Sequence, residues 1–164
     1  MGHMECIKSF FADRACAENA VKMALPMIVE SIKDSDVSGA GFLHIVIMNP
    51  ACLPGNSTFE EAILYEHSIG DRDKWDANYA EFARAKARLA WRTGMDGHRV
   101  LELQPQLLIG NDFLGWGGVV VDGIVVGVSG AHPWFDEAFA GSIAMCVRAL
   151  AKAAVRKNKD LFLK

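Results

Sequence analysis

This sequence has no long stretch of one charge. Lysine and arginine together number 17 against 20 aspartates and glutamates, a formal net charge of −3. No basic block exceeds a few residues, so bulk binding to nucleic acid or another polyanion is not expected. An apolar run of membrane-spanning length is also missing, and the start of the chain has no secretory-signal pattern. Cysteine is sparse: Cys6, Cys16, Cys52 and Cys146 offer neither a CxxC nor the spacing of a disulfide framework. Three of them sit in apolar surroundings, which predicts free, mostly buried thiols in a reducing cytoplasm. No HxxxH or HExxH occurs, so a dedicated zinc site is not expected. Ser129-Gly130 does not make a GxSxG elbow and brings no obvious base with it, which argues against nucleophilic catalysis. Gly115-Trp116-Gly117-Gly118 lacks the Lys-Ser/Thr ending of a phosphate-binding loop and precedes a strand, so the P-loop and the dinucleotide fingerprint both fail.

The chain does hold enough apolar residues for a core. At 164 residues, 51% hydrophobic and 23% charged, it reads as one globular domain over residues 4–164. Met1-Gly2-His3 looks like a remnant of cloning ahead of a natural start at Met4, and His3 is left out of the chemistry. No internal repeat, linker or second domain is apparent.

The most informative stretch runs from Gly117 to Glu137. Asp122-Gly123 stands between Val119-Val120-Val121 and Ile124-Val125-Val126, the pattern of a two-residue type I′ hairpin, whose central residues both need φ > 0. Neither arm alternates apolar with polar, which predicts that both faces are covered. Gly127-Val128-Ser129-Gly130-Ala131 forms a small-residue exit where backbone can approach a ligand closely. Pro133 and Asp136-Glu137 then open a long helix with the stripe Phe139, Ile143, Cys146, Val147, Leu150 and Ala154. Residues 157–164 read as a tail or as an arm that docks on a partner subunit.

Upstream, residues 10–33 carry a helical stripe (Ala15, Ala20, Met23, Ala24, Met27, Ile28, Ile32) with a kink or break expected at Pro26. Gly41–Asn49 reads as an interior strand apolar on both faces, with His44 its one polar interruption. Ala62–Glu66 forms a short second strand, and the loop before it has no clear pattern. A helix is predicted from about Lys74 to Arg92, capped by Asp71 or Asp73 and stopped by Gly94. Lys86 falls on the apolar side of that helix, among Tyr79, Phe82, Ala83 and Ala87. Residues 96–112 give conflicting signals and are read as irregular.

The run GVVVDGIVVGVSGAHPWFDEAFA resembles the glycine-rich core of the GlcG/HbpS family of haem-binding and haem-degrading proteins. The upstream ARAKARLAWRTG, with Ala83, Lys86, Ala87, Ala90 and Gly94, resembles that family's alanine-rich helix, and the order of elements is similar along nearly the whole chain. The resemblance implies an α/β (α+β) fold: a profilin-like, PAS/GAF-like antiparallel sheet with helices packed on it. It also implies a homo-oligomer.

Candidate ligand-binding residues follow. His132, beside Trp134 and Phe135, is the residue a haem or transition metal would take, the alternative being a surface histidine at a subunit contact. His44 reads as a histidine satisfied by neighbours more readily than as a ligand, and His67 and His98 read as surface residues. Lys86 either snorkels or reaches a cavity beneath the hairpin to pair with a carboxylate ligand. Asp136 and Glu137 complement the helix dipole or pair with Lys86 or a neighbouring subunit. Ser129 and Gly130 would line the cavity.

The expected function is therefore an oligomeric cytoplasmic protein binding a small molecule, possible haem included, with oxidative breakdown of the haem a consequence of iron chemistry. The alternatives are an accessory oligomeric protein with a vestigial pocket, or an enzyme acting on a small organic acid held by Lys86 and the Asp136-Glu137 pair.

Overall fold

The computed structural model describes residues 6–164, so the reading of Met1-Gly2-His3 and of a start at Met4 lies outside the described residues. Four antiparallel strands make one sheet: β1 (Leu43–Met48), β2 (Ile63–Ile69), β3 (Gly118–Val121) and β4 (Ile124–Ser129), in the order β2-β1-β4-β3. The two central strands are buried along their whole length, and β2, at an edge, is half-buried throughout. Side chains alternate across a strand, so β1 serves two cores. Leu43, Ile45 and Ile47 meet α1 (Arg14–Ser31) and α5 (Pro133–Lys157), whereas Val46 and Met48 join the alanines of α3 (Tyr79–Thr93). The result is a three-layer α/β fold, two helices on one face of the sheet and one on the other.

The hairpin is as its sequence predicts, with Asp122 at φ 48° and Gly123 at φ 79° and Val119 opposite Val126. Helix α3 lies unusually close over it. A Cβ on Gly118 would overlap the Lys86 carbonyl oxygen, and one on Gly127 the Ala83 carbonyl oxygen. Small residues on both sides, Gly118 and Gly127 below and Ala83, Ala87 and Ala90 above, allow this approach.

Several expectations need correction. Helix α1 is not broken at Pro26, which lies inside it; Pro26 is exposed, so the carbonyl that its missing N–H leaves unpaired can turn to water. The buried stripe of α1 is Cys16, Ala17, Ala20, Val21, Ala24 and Ile28, leaving Met23 and Met27 exposed. Helix α3 starts at Tyr79, capped by the Asn78 side chain, while Asp71 caps a separate 3-10 turn, Arg72–Lys74. The second strand is longer than expected and is preceded by a one-turn helix, α2 (Phe59–Ala62), with a complete Thr58/Glu61 capping box. Residues 97–103 form a helix, α4 (Gly97–Leu103), followed by a 3-10 turn at Pro105–Leu107. The Asp96 carboxylate is drawn away from capping α4 by accepting a hydrogen bond from the Val120 amide at 2.8 Å, tying α4 to the hairpin.

The expectation of four free thiols fails. Cys6 and Cys52 are joined in a disulfide, with Cα atoms 5.8 Å apart across 46 residues of sequence, and only Cys16 and Cys146 are free. The thiol argument for a reducing compartment therefore does not extend to that pair. Helix α5 is, by length and composition, apolar enough to cross a membrane, although Arg148 and Lys152 interrupt its apolar run. In the fold its inner face, with Phe139, Ile143 and Val147, packs in the core with α1 and the sheet, and Trp134, Met145 and Val155 stand exposed.

Candidate functional site

The exit of the hairpin, the first half of α3 and the start of α5 converge on one buried ion pair. Lys86 Nζ lies 2.8 Å from Asp136 Oδ2, with the two side chains only 4% and 2% exposed. Lys86 also donates to the Val128 carbonyl at 3.2 Å and to Ser129 Oγ at 3.3 Å. An ammonium has three protons, and three acceptors surround this one. The Asp136 carboxylate is equally occupied: Oδ1 accepts from the Ala131 amide at 2.8 Å, and the nearby Gly130 amide also favours its charged form. Burial pushes the Asp136 carboxyl up to about 6, and Lys86 and the two backbone donors hold it from rising further.

Above this pair opens a cleft of about 660 Å³, within the range of small-molecule sites. Lys86, Ser129, Gly130, Asp136 and His132 all line it. Its walls include residues that sequence reading did not single out as site residues: Tyr79 and Asp76 on one side, Phe113 and Trp116 on another. The Phe113 ring lies 5.7 Å from Lys86 Nζ. The Tyr79 hydroxyl donates to Asp76, and burial together with that carboxylate pushes its pKa up to about 12. The aromatic residues scattered through Phe113-Leu-Gly-Trp116 were the available sequence signal, since bulky rings in a glycine-rich turn need something to pack against. The rim is held by Ser38, whose hydroxyl donates to the Gly130 carbonyl at 2.9 Å, and by the His132 amide, which donates to the Val37 carbonyl at 2.9 Å.

The remaining candidates lie apart from the cleft. His44 is buried, with Nδ1 2.7 Å from Ser68 Oγ and Nε2 3.1 Å from Glu66 Oε1. Burial lowers its pKa. Glu66 lies below its ordinary value: burial pushes it up, but the hydrogen bonds from Arg84 and His44 outweigh that. Trp75 stands edge-on over the His44 ring. Glu137 pairs with His98 rather than with Lys86, and the His98 ring lies 4.9 Å from that of Trp116; His98 is thus half-buried and partnered, not a plain surface residue. His67 is half-buried, its ring within 3.3 Å of the Tyr65 hydroxyl. Trp134 is exposed and stacked on His132. No group of three or more His, Cys, Asp or Glu side chains is placed to hold a metal ion among the described residues.

No protein-family model matches the chain, and no curated protein matches it. Among solved structures it is similar to the Klebsiella pneumoniae protein ORFY, described under family DUF336. That likeness has a TM-score of 0.54 and 14% sequence identity, covering 91% of this chain and 97% of the other. At that identity the likeness is one of fold, and it extends over nearly the whole of both chains.

Proposed function

We propose that this is a small-ligand-binding protein, a diverged profilin-like relative of the GlcG/HbpS proteins, whose ligand lies in the cleft at the hairpin exit. The observation that carries the reading is the cleft's construction: aromatic walls over a floor whose ion pair is buried and fully hydrogen-bonded. Such a site combines apolar area with a few fixed polar groups, the usual composition of a small-molecule pocket. The same floor argues against an acid–base enzyme, because Lys86 and Asp136 are spent on each other. Thermal-shift screening of small planar compounds tests it: stabilisers whose effect disappears in Trp116→Ala support the cleft, and stabilisers indifferent to that change, or none at all, overturn it.

Haem is the second reading, favoured by one observation. The His132 imidazole reaches the rim of the cleft, and neither ring nitrogen takes a hydrogen bond among the described residues. The exposed Trp134 ring beside it offers a stacking face. His44, with both ring nitrogens occupied, is not available for this role. Titration with haem, followed by absorbance, should give a Soret shift that is lost in His132→Ala and kept in His44→Ala. No shift, or one unchanged in His132→Ala, removes haem from consideration. Assembly into a homo-oligomer belongs to the same proposal: Met23 and Met27 on α1 and Met145 and Val155 on α5 present apolar surface, and a solution mass equal to one chain would count against it.

A further inference from the structure

The cleft's hydrogen-bonding inventory restricts what it can hold. Among the described side chains lining it, Lys86 brings the only ammonium or guanidinium group, and its three protons are taken by Val128, Ser129 and Asp136. A carboxylate entering the cleft would meet no free ammonium or guanidinium among the described lining residues and would lie beside two aspartates. Besides the His132 imidazole at the rim and the Trp116 indole N–H, neither of which makes a hydrogen bond among the described residues, two further polar groups have unused capacity. Ser129 Oγ accepts a hydrogen bond from Lys86, which has no lone pair to offer in return, and the Ser129 hydroxyl proton meets no acceptor among the described residues. Asp76 accepts the Tyr79 hydroxyl on Oδ1, and its Oδ2 receives no hydrogen bond among the described residues. The inventory is thus the Ser129 hydroxyl and the Trp116 N–H as donors, the His132 imidazole at the rim, one free anionic acceptor, and ring faces from Tyr79, Phe113 and Trp116. Aromatic faces beside an unneutralised carboxylate favour a flat, electron-poor or cationic ring and disfavour an anion.

Resting on the reading that this cleft is the ligand site, we propose that its occupant is an uncharged or cationic planar heteroaromatic, presenting a carbonyl oxygen to the Ser129 hydroxyl and an N–H to Asp76. A primary carboxamide on a heteroaromatic ring carries both groups. The ligand class thereby differs in charge from a small organic acid, which the sequence position of Lys86 by itself would suggest.

The test uses matched pairs in which the same ring carries an amide or an acid: nicotinamide against nicotinate, and pyrazinamide against pyrazinoate. Their binding to the full chain is measured by calorimetry up to millimolar concentration. The amide of each pair should bind about tenfold or more tightly than its acid, roughly the worth of one satisfied hydrogen bond. Ser129→Ala should lower amide affinity by about tenfold while leaving acid affinity unchanged. Because Ser129 is buried, the exposed Asp76→Asn serves as a second variant, and it should narrow the gap by admitting the acid. Equal affinity within a pair, or preference for the acid, overturns this inference. If that acid binding is lost in Trp116→Ala, the cleft remains the ligand site with the opposite charge preference. Failure of all four probes also overturns the inference, and the thermal-shift screen then decides separately whether the cleft binds anything.

Discussion

Two polar clusters lie under the same end of α3, and they differ in what they open onto. His44 and Ser129 are register partners on β1 and β4, so their side chains leave the same face of the sheet. Around His44 the groups close on one another: Ser68, Glu66 and Arg84 complete the hydrogen bonds, and Trp75 covers the ring. Around Ser129 the ion pair is just as well satisfied, yet one hydroxyl proton is left over and a cleft stands above it. A buried polar group is therefore no guide to function by itself. Buried groups are satisfied in native proteins almost without exception; the informative case is the one whose leftover valence faces open space.

The largest test of this comparison concerns the ion pair. Lys86→Met leaves Asp136 buried without its cation and should cost about 3–5 kcal/mol in urea unfolding. The double variant Lys86→Met/Asp136→Leu should cost less than the single one, because two apolar side chains need no partner. Should the double variant prove the worse, the pair contributes net stability of its own.

A second test uses pH, where the two clusters act with opposite sign. Asp136 titrates near 3.8 when unfolded and at about 6 when folded, so the folded chain holds the proton more tightly. Its contribution is complete below pH 3.8 and is lost as pH rises through about 6, a change on the order of 3 kcal/mol. His44 is depressed below its ordinary 6.5. Its contribution is complete above 6.5 and is lost as pH falls through the folded value. Denaturation midpoints across this range should lose the Asp136 limb in Asp136→Asn and the His44 limb in His44→Asn; a limb that survives its own variant has been assigned to the wrong residue.

The smallest effect separates closed from open. Ser68→Ala removes one hydrogen bond of the closed cluster and should cost about 1 kcal/mol, with affinity for any cleft ligand unchanged. A loss of ligand affinity in Ser68→Ala would mean that the two clusters are one site.

Much of the framework was legible beforehand because it rests on local rules. Asp122-Gly123 between β-branched runs specified the hairpin, Gly94 the end of α3, and two apolar faces the interior position of β1. The Thr58/Glu61 capping box was equally readable and was missed, because a one-turn helix is too short to leave a periodic stripe. Residues 97–103 were unreadable for a related reason: a helix of seven residues ended by Pro105 is too short to show a periodic stripe, and its Asp96 spends its carboxylate on the hairpin.

The sequence by itself determined the strands, the turn and the odd placement of Lys86 among alanines, since backbone preference and periodicity act over a few residues. Only the tertiary structure decided that Lys86 meets Asp136, 50 residues away, that Cys6 bonds Cys52, and that Phe113 and Trp116 wall the cleft. Those outcomes depend on which surfaces the three layers bring within a few ångströms of one another, and spacing along the chain carries no information about that distance.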